Sequence, residues 1–163
     1  MILSFKTQIN GKPTLFPEKI FAGLLKNGIV PTSKDFFKCY RIPPMLMEKL
    51  KPKIHTIRED NTNRWKPGIM IDFFIGTRTK NMFRFAPRVP VVSKQRIFMT
   101  YLPQCGQGFE VSLDGRYLYK DEIEKIAIND GFDTVDDFEE YFISQMKEDQ
   151  FSGKIIHWTN FKY

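Results

Sequence analysis

The sequence predicts a single α+β domain: a curved, mostly antiparallel sheet or small barrel flanked by about three helices. Three observations predict it. Apolar and polar residues alternate along several short runs, other segments carry apolar residues at helical spacing, and Gly, Pro, Asn and Asp separate the two kinds of segment. At 163 residues and 42% hydrophobic content, the chain can bury most of its apolar surface as one unit. No repeat, low-complexity tract or second core divides it, so residues 1–163 read as one domain.

"MILSFK" at 1–6 reads as a first strand and "NGKP" as a turn. In "FPEKIFAGLLKNG", Ile20, Phe21, Leu24 and Leu25 form one helical stripe, with Pro17 near the start and Gly28 at the C-terminal cap. Residues 29–52 hold four prolines and read as a long connection, with one short helix at "MLMEKL". "KIHTIR" is a strand, "EDNTN" a turn, and "RWKPG" leads into a strand over "IMIDFFIGTRTK". "VVSKQRIFMTYL" predicts a long strand, and "FEVSLDGRYLY" a hairpin turning at Asp114 and Gly115. "DEIEKIAINDG" predicts a helix closed by Gly131. "DTVDDFEEYFISQMK" predicts another, capped by Asp133 or Thr134, with Val135, Phe138, Tyr141, Phe142 and Met146 on its buried face. "GKIIHWTNFKY" closes the chain as a final strand.

Composition excludes several classes. No apolar run approaches the roughly 20 residues that span a bilayer. The opening "MILSFKTQINGKP" turns polar at Lys6 and Gln8, too soon for a secretory signal, so an intracellular, cytoplasmic protein is expected. Cys39 and Cys105 are far apart, and only His55 and His157 accompany them, so neither a disulfide framework nor a metal site is expected, and no cofactor is implied. The net charge of +6 is unevenly spread. Residues 121–149 carry eleven acids and two bases, leaving 23 bases against 8 acids elsewhere. The basic part suits a polyanion such as nucleic acid, while the acidic 121–149 face suits a basic protein partner or plain solvation.

The densest chemistry lies in "KIHTIREDNTNRWKPG", residues 53–68. Strand alternation sends Ile54, Thr56 and Arg58 to one face and His55 and Ile57 to the other. Arg58, Arg64 and Lys66 bracket the turn, and a guanidinium suits phosphate or a base edge; pairing of Arg58 with Glu59 or Asp60 is the plainer alternative. Trp65 is either a stacking surface for a base or a core residue. In "GTRTKNMFRFAPR", Arg78, Lys80, Arg84 and Arg88 interleave with Phe83 and Phe85, the pattern of a groove that follows a single strand; Phe85 could equally be core. The glycines of "CGQGFE" lack the lysine and helix of a phosphate loop, no G-x-S-x-G turn exists, and His157 reads as a packed strand residue.

Three motifs resemble those of the ASCH domain, a branch of the PUA-like superfamily, and look most like members carried by phages and their bacterial hosts. They are Lys53-x-x-Thr56-x-Arg58, the Trp65-Lys66-x-Gly68 turn and Ala127-x-x-Asp130-Gly131-Phe132, together with the helix "PEKIFAGLL" and the closing "GKIIHW". The likeness runs from Ile2 to Tyr163, with insertions at 29–50 and 85–112. It implies a small PUA-like β-barrel with a cleft beside the strand at 53–58, and an RNA-binding or modified-base-reading role. Some bacterial members remove the acetyl group of N4-acetylcytidine with a lysine, a threonine and a glutamate, and another has been described as a ribonuclease. The lysine falls on Lys53 and the threonine on Thr56. The glutamate position holds Asp130, one methylene shorter, which puts its reach in question.

Three functional expectations follow. The first is an RNA- or nucleobase-binding module using Thr56, Arg58, Arg64, Trp65 and Lys66, extended by Arg78, Lys80 and Arg84. The second is a nucleoside amidohydrolase in which Thr56 is the nucleophile, Lys53 its base and Asp130 the acid or base. A phage or host interaction protein docking through its acidic face is the third. Against the second stands a plainer reading in which Lys53 is solvated and Asp130 only ends its helix.

Overall fold

The computed structural model describes residues 1–30 and 49–163. Strand β1 (Ile2–Phe5) is followed by a small hairpin, β2 (Gln8–Ile9) and β3 (Lys12–Pro13), and by helix α1 (Phe16–Lys26). Asn10 and Gly11 take φ of 50° and 76°, the left-handed pair that a two-residue hairpin turn needs. Gly28, at φ 65°, ends α1 as its spacing predicted: its amide bonds Leu25 O and the next amide bonds Leu24 O. Most of the predicted connection over 29–52, including the first four residues of the "MLMEKL" helix, lies outside the described residues.

The chain then enters β4 (His55–Arg58), β5 (Met70–Ile75), β6 (Phe83–Arg84), β7 (Val89–Pro90), β8 (Ser93–Leu102), β9 (Gln107–Leu113) and β10 (Arg116–Tyr117). Helices α2 (Lys120–Asn129) and α3 (Val135–Ile143) precede the last strand, β11 (Gln150–His157). The larger sheet is antiparallel throughout, in the order β10-β9-β8-β11-β4. In the smaller one, β1 runs parallel to β5, and β6 and β7 pair with β5 antiparallel. The α+β class is as predicted. Among the described residues neither sheet closes into a barrel.

Both sheets share a core. Phe73 of β5 meets Trp158, just past β11, edge to face at 5.2 Å, and Phe5 of β1 stacks on Phe73 at 5.9 Å. Helix α3 lays Phe138 and Phe142 against the larger sheet, with Phe142 edge-on to Phe151 at 5.0 Å. Its amino end is capped by Thr134, whose hydroxyl accepts from Asp137 N at 3.1 Å.

Several boundaries differ from the sequence reading, each for a local reason. The strand expected over 69–80 stops at Ile75, because Gly76 and Arg78 turn the chain at φ 60° and 66°. Helix α3 ends at Ile143, not Lys147: the amides of Gln145 and Met146 bond three residues back, to Phe142 O and Ile143 O, and Lys147 already pairs with Gln150 across the turn into β11. The final strand ends at His157. Beyond it, Tyr163 N and O bond the side chain of Gln95 instead of a neighbouring strand.

Candidate functional site

Lys53 sits just ahead of β4, where the chain is tied to two helices at once: its amide bonds Lys19 O of α1 and the amide of Ile54 bonds Asn129 O of α2. Gly23 permits this approach, because a Cβ there would lie 2.5 Å from Lys53 O. The lysine side chain is therefore directed inward, only 1% exposed, between the Phe16 ring at 4.8 Å and the end of α2. Its Nζ donates to the backbone carbonyl of Asp130 and, at 2.8 Å, to Asp130 Oδ1. That same Oδ1 accepts from Ile57 N of β4 at 3.1 Å. One methylene fewer than glutamate does not stop Asp130 from reaching Lys53, and Lys53 is not a solvated lysine. Asp130 also caps α2, as the plainer reading held.

Burial draws the Lys53 ammonium down to about 8, while the Asp130 carboxylate beside it holds the proton on. Burial by itself would raise Asp130, but the charge of Lys53 and the neighbouring His55 outweigh it, leaving the carboxyl below its ordinary value. The pair is ionised at neutral pH. His55 lies behind it, with Nδ1 3.5 Å from Asp130 Oδ1 and Nε2 2.7 Å from the Tyr163 hydroxyl, which also accepts from Asn129 at 2.8 Å. Desolvation lowers His55 and carries His157 down to about 3, so both rings are neutral at pH 7. Neither ring nitrogen of His157 has a hydrogen-bond partner among the described residues.

Arg58, at the far end of β4, reaches out of this buried cluster. Its Nη2 donates to Ser4 O at 2.8 Å and its guanidinium lies 5.3 Å from the centre of the Phe5 ring, joining the open edge of β1 to the end of the larger sheet. There it borders a cleft of about 320 Å³, shared with Glu59, Tyr141, Phe142, Gln145 and Lys147. Lys6 overhangs the Tyr141 ring at 5.1 Å, and Lys147 pairs loosely with Glu59 at 3.8 Å. One half-buried tyrosine thus shares the cleft wall with Arg58 and Lys147 and lies under Lys6, and its hydroxyl is raised chiefly by burial.

The remaining predicted residues are distributed more widely. Thr56 is 2% exposed on β4 opposite Ile156, and neither it, Lys53 nor Asp130 lines the Arg58 cleft. Buried Asp60 folds the next loop by accepting from Arg64 N at 2.8 Å and Trp65 N at 3.2 Å. Trp65 is thereby turned into the core at 2% exposure, while Arg64 and Lys66 stay exposed, away from the cleft. Arg84 lies 4.0 Å from Asp72, whose carboxylate is already bound by Arg88 at 2.5 Å. Arg78 and Lys80 are exposed on the loop after β5, and Phe85 is core.

Sequence reasoning missed Lys6, Tyr141, Asn129 and Tyr163. Tyr141 stood on the buried face of α3, but a tyrosine at the edge of such a stripe commonly keeps its hydroxyl toward water, which was the available signal. Within the acidic region, Glu122 pairs with Arg116, Asp133 with Lys19 and Asp137 with Lys12, so part of that charge is neutralised internally. Among the described residues no group of His, Cys, Asp and Glu is arranged to hold a metal ion, and no helix is long and apolar enough to cross a membrane. No family model, curated protein or solved structure matches this chain.

Proposed function

We propose that this protein is a cytoplasmic, PUA-like module of ASCH type, its two sheets forming an open version of the small barrel, that binds RNA by holding one nucleotide unit in the Arg58 cleft. The observation that carries this reading is that Arg58 and Lys147 line one recess with Tyr141 at the end of β4, while Lys6 overhangs the Tyr141 ring. Cations there meet phosphate, the tyrosine offers ring surface and a hydroxyl, and Gln145 offers an amide for a base edge. Because Arg58 is already oriented by Ser4 O and Phe5, little side-chain freedom is lost on binding. Titration calorimetry with uridine and cytidine monophosphates tests it. Binding that weakens about tenfold or more in Arg58→Ala is expected from the strength of charge-assisted contacts, and binding indifferent to Arg58 would count against the reading.

One observation favours a second reading, the amidohydrolase. For this chemistry Lys53, with its ammonium lowered to about 8, would have to leave Asp130 to take the Thr56 hydroxyl proton, and the buried Thr56 would have to open to substrate as it attacks an acetyl carbonyl. The departing exocyclic amine would then be protonated, and water would release acetate from the threonine. Such an activity would rise with pH, reach half its limit near pH 8 as Lys53 loses its proton, and disappear in Thr56→Ala. Incubation with N4-acetylcytidine decides: no deacetylation near pH 8 removes this reading and leaves the first intact.

A further inference from the structure

A second, larger cleft of about 660 Å³ lies between the start of α1 and the β5–β6 hairpin. Met82 and Phe83 supply apolar wall, Lys80 and Asn81 come from the loop after β5, and Thr7 and Glu18 stand on the remaining sides. Met82 is 42% exposed, high for a residue of its size, and Lys80 and Asn81 are exposed beside it. An apolar wall edged by an amide, a hydroxyl and a carboxylate matches a base, whose faces are apolar and whose edges alternate donors and acceptors.

The two clefts are physically joined through one short segment. Ser4 O accepts from Arg58 of the first cleft, while Ser4 Oγ lies 2.7 Å from Thr77 Oγ1, at the root of the loop that carries Lys80. Two residues on, Lys6 overhangs Tyr141 of the first cleft, and Thr7 lines the second. Exposed cations run the length of this path: Lys6 at the ridge, Arg78 and Lys80 beyond it. Negative charge spaced along a strand is the complement of such a row.

We infer that the two clefts hold separate bases of one single-stranded nucleic acid, with residues 4–7 as the ridge its backbone crosses. This rests on the reading of the Arg58 cleft above and extends it from a nucleotide to a strand. A duplex is excluded as ligand, since its bases stay paired and can enter neither cleft.

Fluorescence anisotropy with a uridine mononucleotide, read by competition, and with single strands of about 4, 8 and 12 nucleotides, a range typical of such grooves, tests the inference. RNA and DNA strands and an RNA duplex form the arms. Affinity is expected to tighten about tenfold or more between the mononucleotide and the longer strands, in line with the gain from seating one further base. Met82→Asp, which places a carboxylate at an exposed position in the second cleft, should abolish that gain. RNA and DNA strands gaining alike would assign the clefts to base and phosphate, and a gain confined to RNA would add the 2′-hydroxyl; either outcome supports the inference. Mononucleotide binding that depends on Arg58 without any gain from length overturns the inference alone. Equal affinity for the duplex, or a length gain untouched by Met82→Asp, also overturns it, and the absence of all binding overturns both it and the Arg58 reading.

Discussion

Lys53 is a charge held inside the protein by one partner, and that fact fixes what its neighbours can tolerate. Asp130→Ala would leave a buried ammonium with only a backbone carbonyl, a change expected to cost about 3–5 kcal/mol in urea unfolding at pH 7. Replacing both members with Lys53→Met and Asp130→Asn should cost distinctly less, because no lone charge remains. The histidines behind the pair act on acid stability. His157 has a folded-state pKa of about 3 against an ordinary 6.5, so between these values the unfolded chain binds more protons. Stability from this residue is therefore full above about pH 6.5 and lost as the pH falls toward about 3. His157→Phe should flatten this limb, by up to about 1.4 kcal/mol per pH unit, the linkage limit for one proton. An unchanged acid profile in that variant would contradict the assignment. At this scale the sequence was only partly legible: the motif resemblance marked Lys53 and Asp130, but their bond depends on how the chain returns between α1 and α2. Trp65 shows the reverse, a residue in a conspicuous turn that the carboxylate of Asp60 rotates into the core.

At the level of elements, the decisive contact is the crossing of α1 by the strand leading into β4. A glycine inside an exposed helix is ordinarily improved by alanine, by roughly 0.5–1 kcal/mol. Gly23 should show the opposite sign, since its Cβ would strike Lys53 O, and Gly23→Ala is expected to lose about 1–3 kcal/mol by thermal or urea unfolding. A stabilised Gly23→Ala would mean that this crossing is looser than described. Most elements were readable because each is punctuated locally: Gly28 and Gly131 end helices at φ 65° and 91°, and Asp114-Gly115 turns a hairpin at φ 51° and 92°. The tiny hairpin β2–β3 and the early end of β5 were not, because strands of two residues carry no alternation and the left-handed Arg78 has no sequence signature.

Over the whole molecule, charge and shape act together. Acids of α2, of α3 and of the turn between them are partly bound to Arg116, Lys12 and Lys19, which leaves the cations at the ends of β1 and β4 and on the loop after β5 for the polyanion proposed above. Binding of an 8-nucleotide RNA, a length within the usual site range, should weaken linearly in log salt, with a slope shallower by about 0.7 for each phosphate-contacting cation removed. Lys6→Ala and Arg58→Ala each test one such contact. None of this joint arrangement was visible in residue order: the basic runs were, but Ser4 linking Arg58 to Thr77 arises only when β1 is placed between β5 and the end of β4.

Backbone NMR of the labelled protein, titrated with a short single-stranded RNA, examines the central claim most directly. Shifts concentrated at Lys6, Arg58, Tyr141 and Gln145 and lost in Arg58→Ala are the predicted result. Shifts confined to the outer faces of α2 and α3, or no shifts at all, would contradict it.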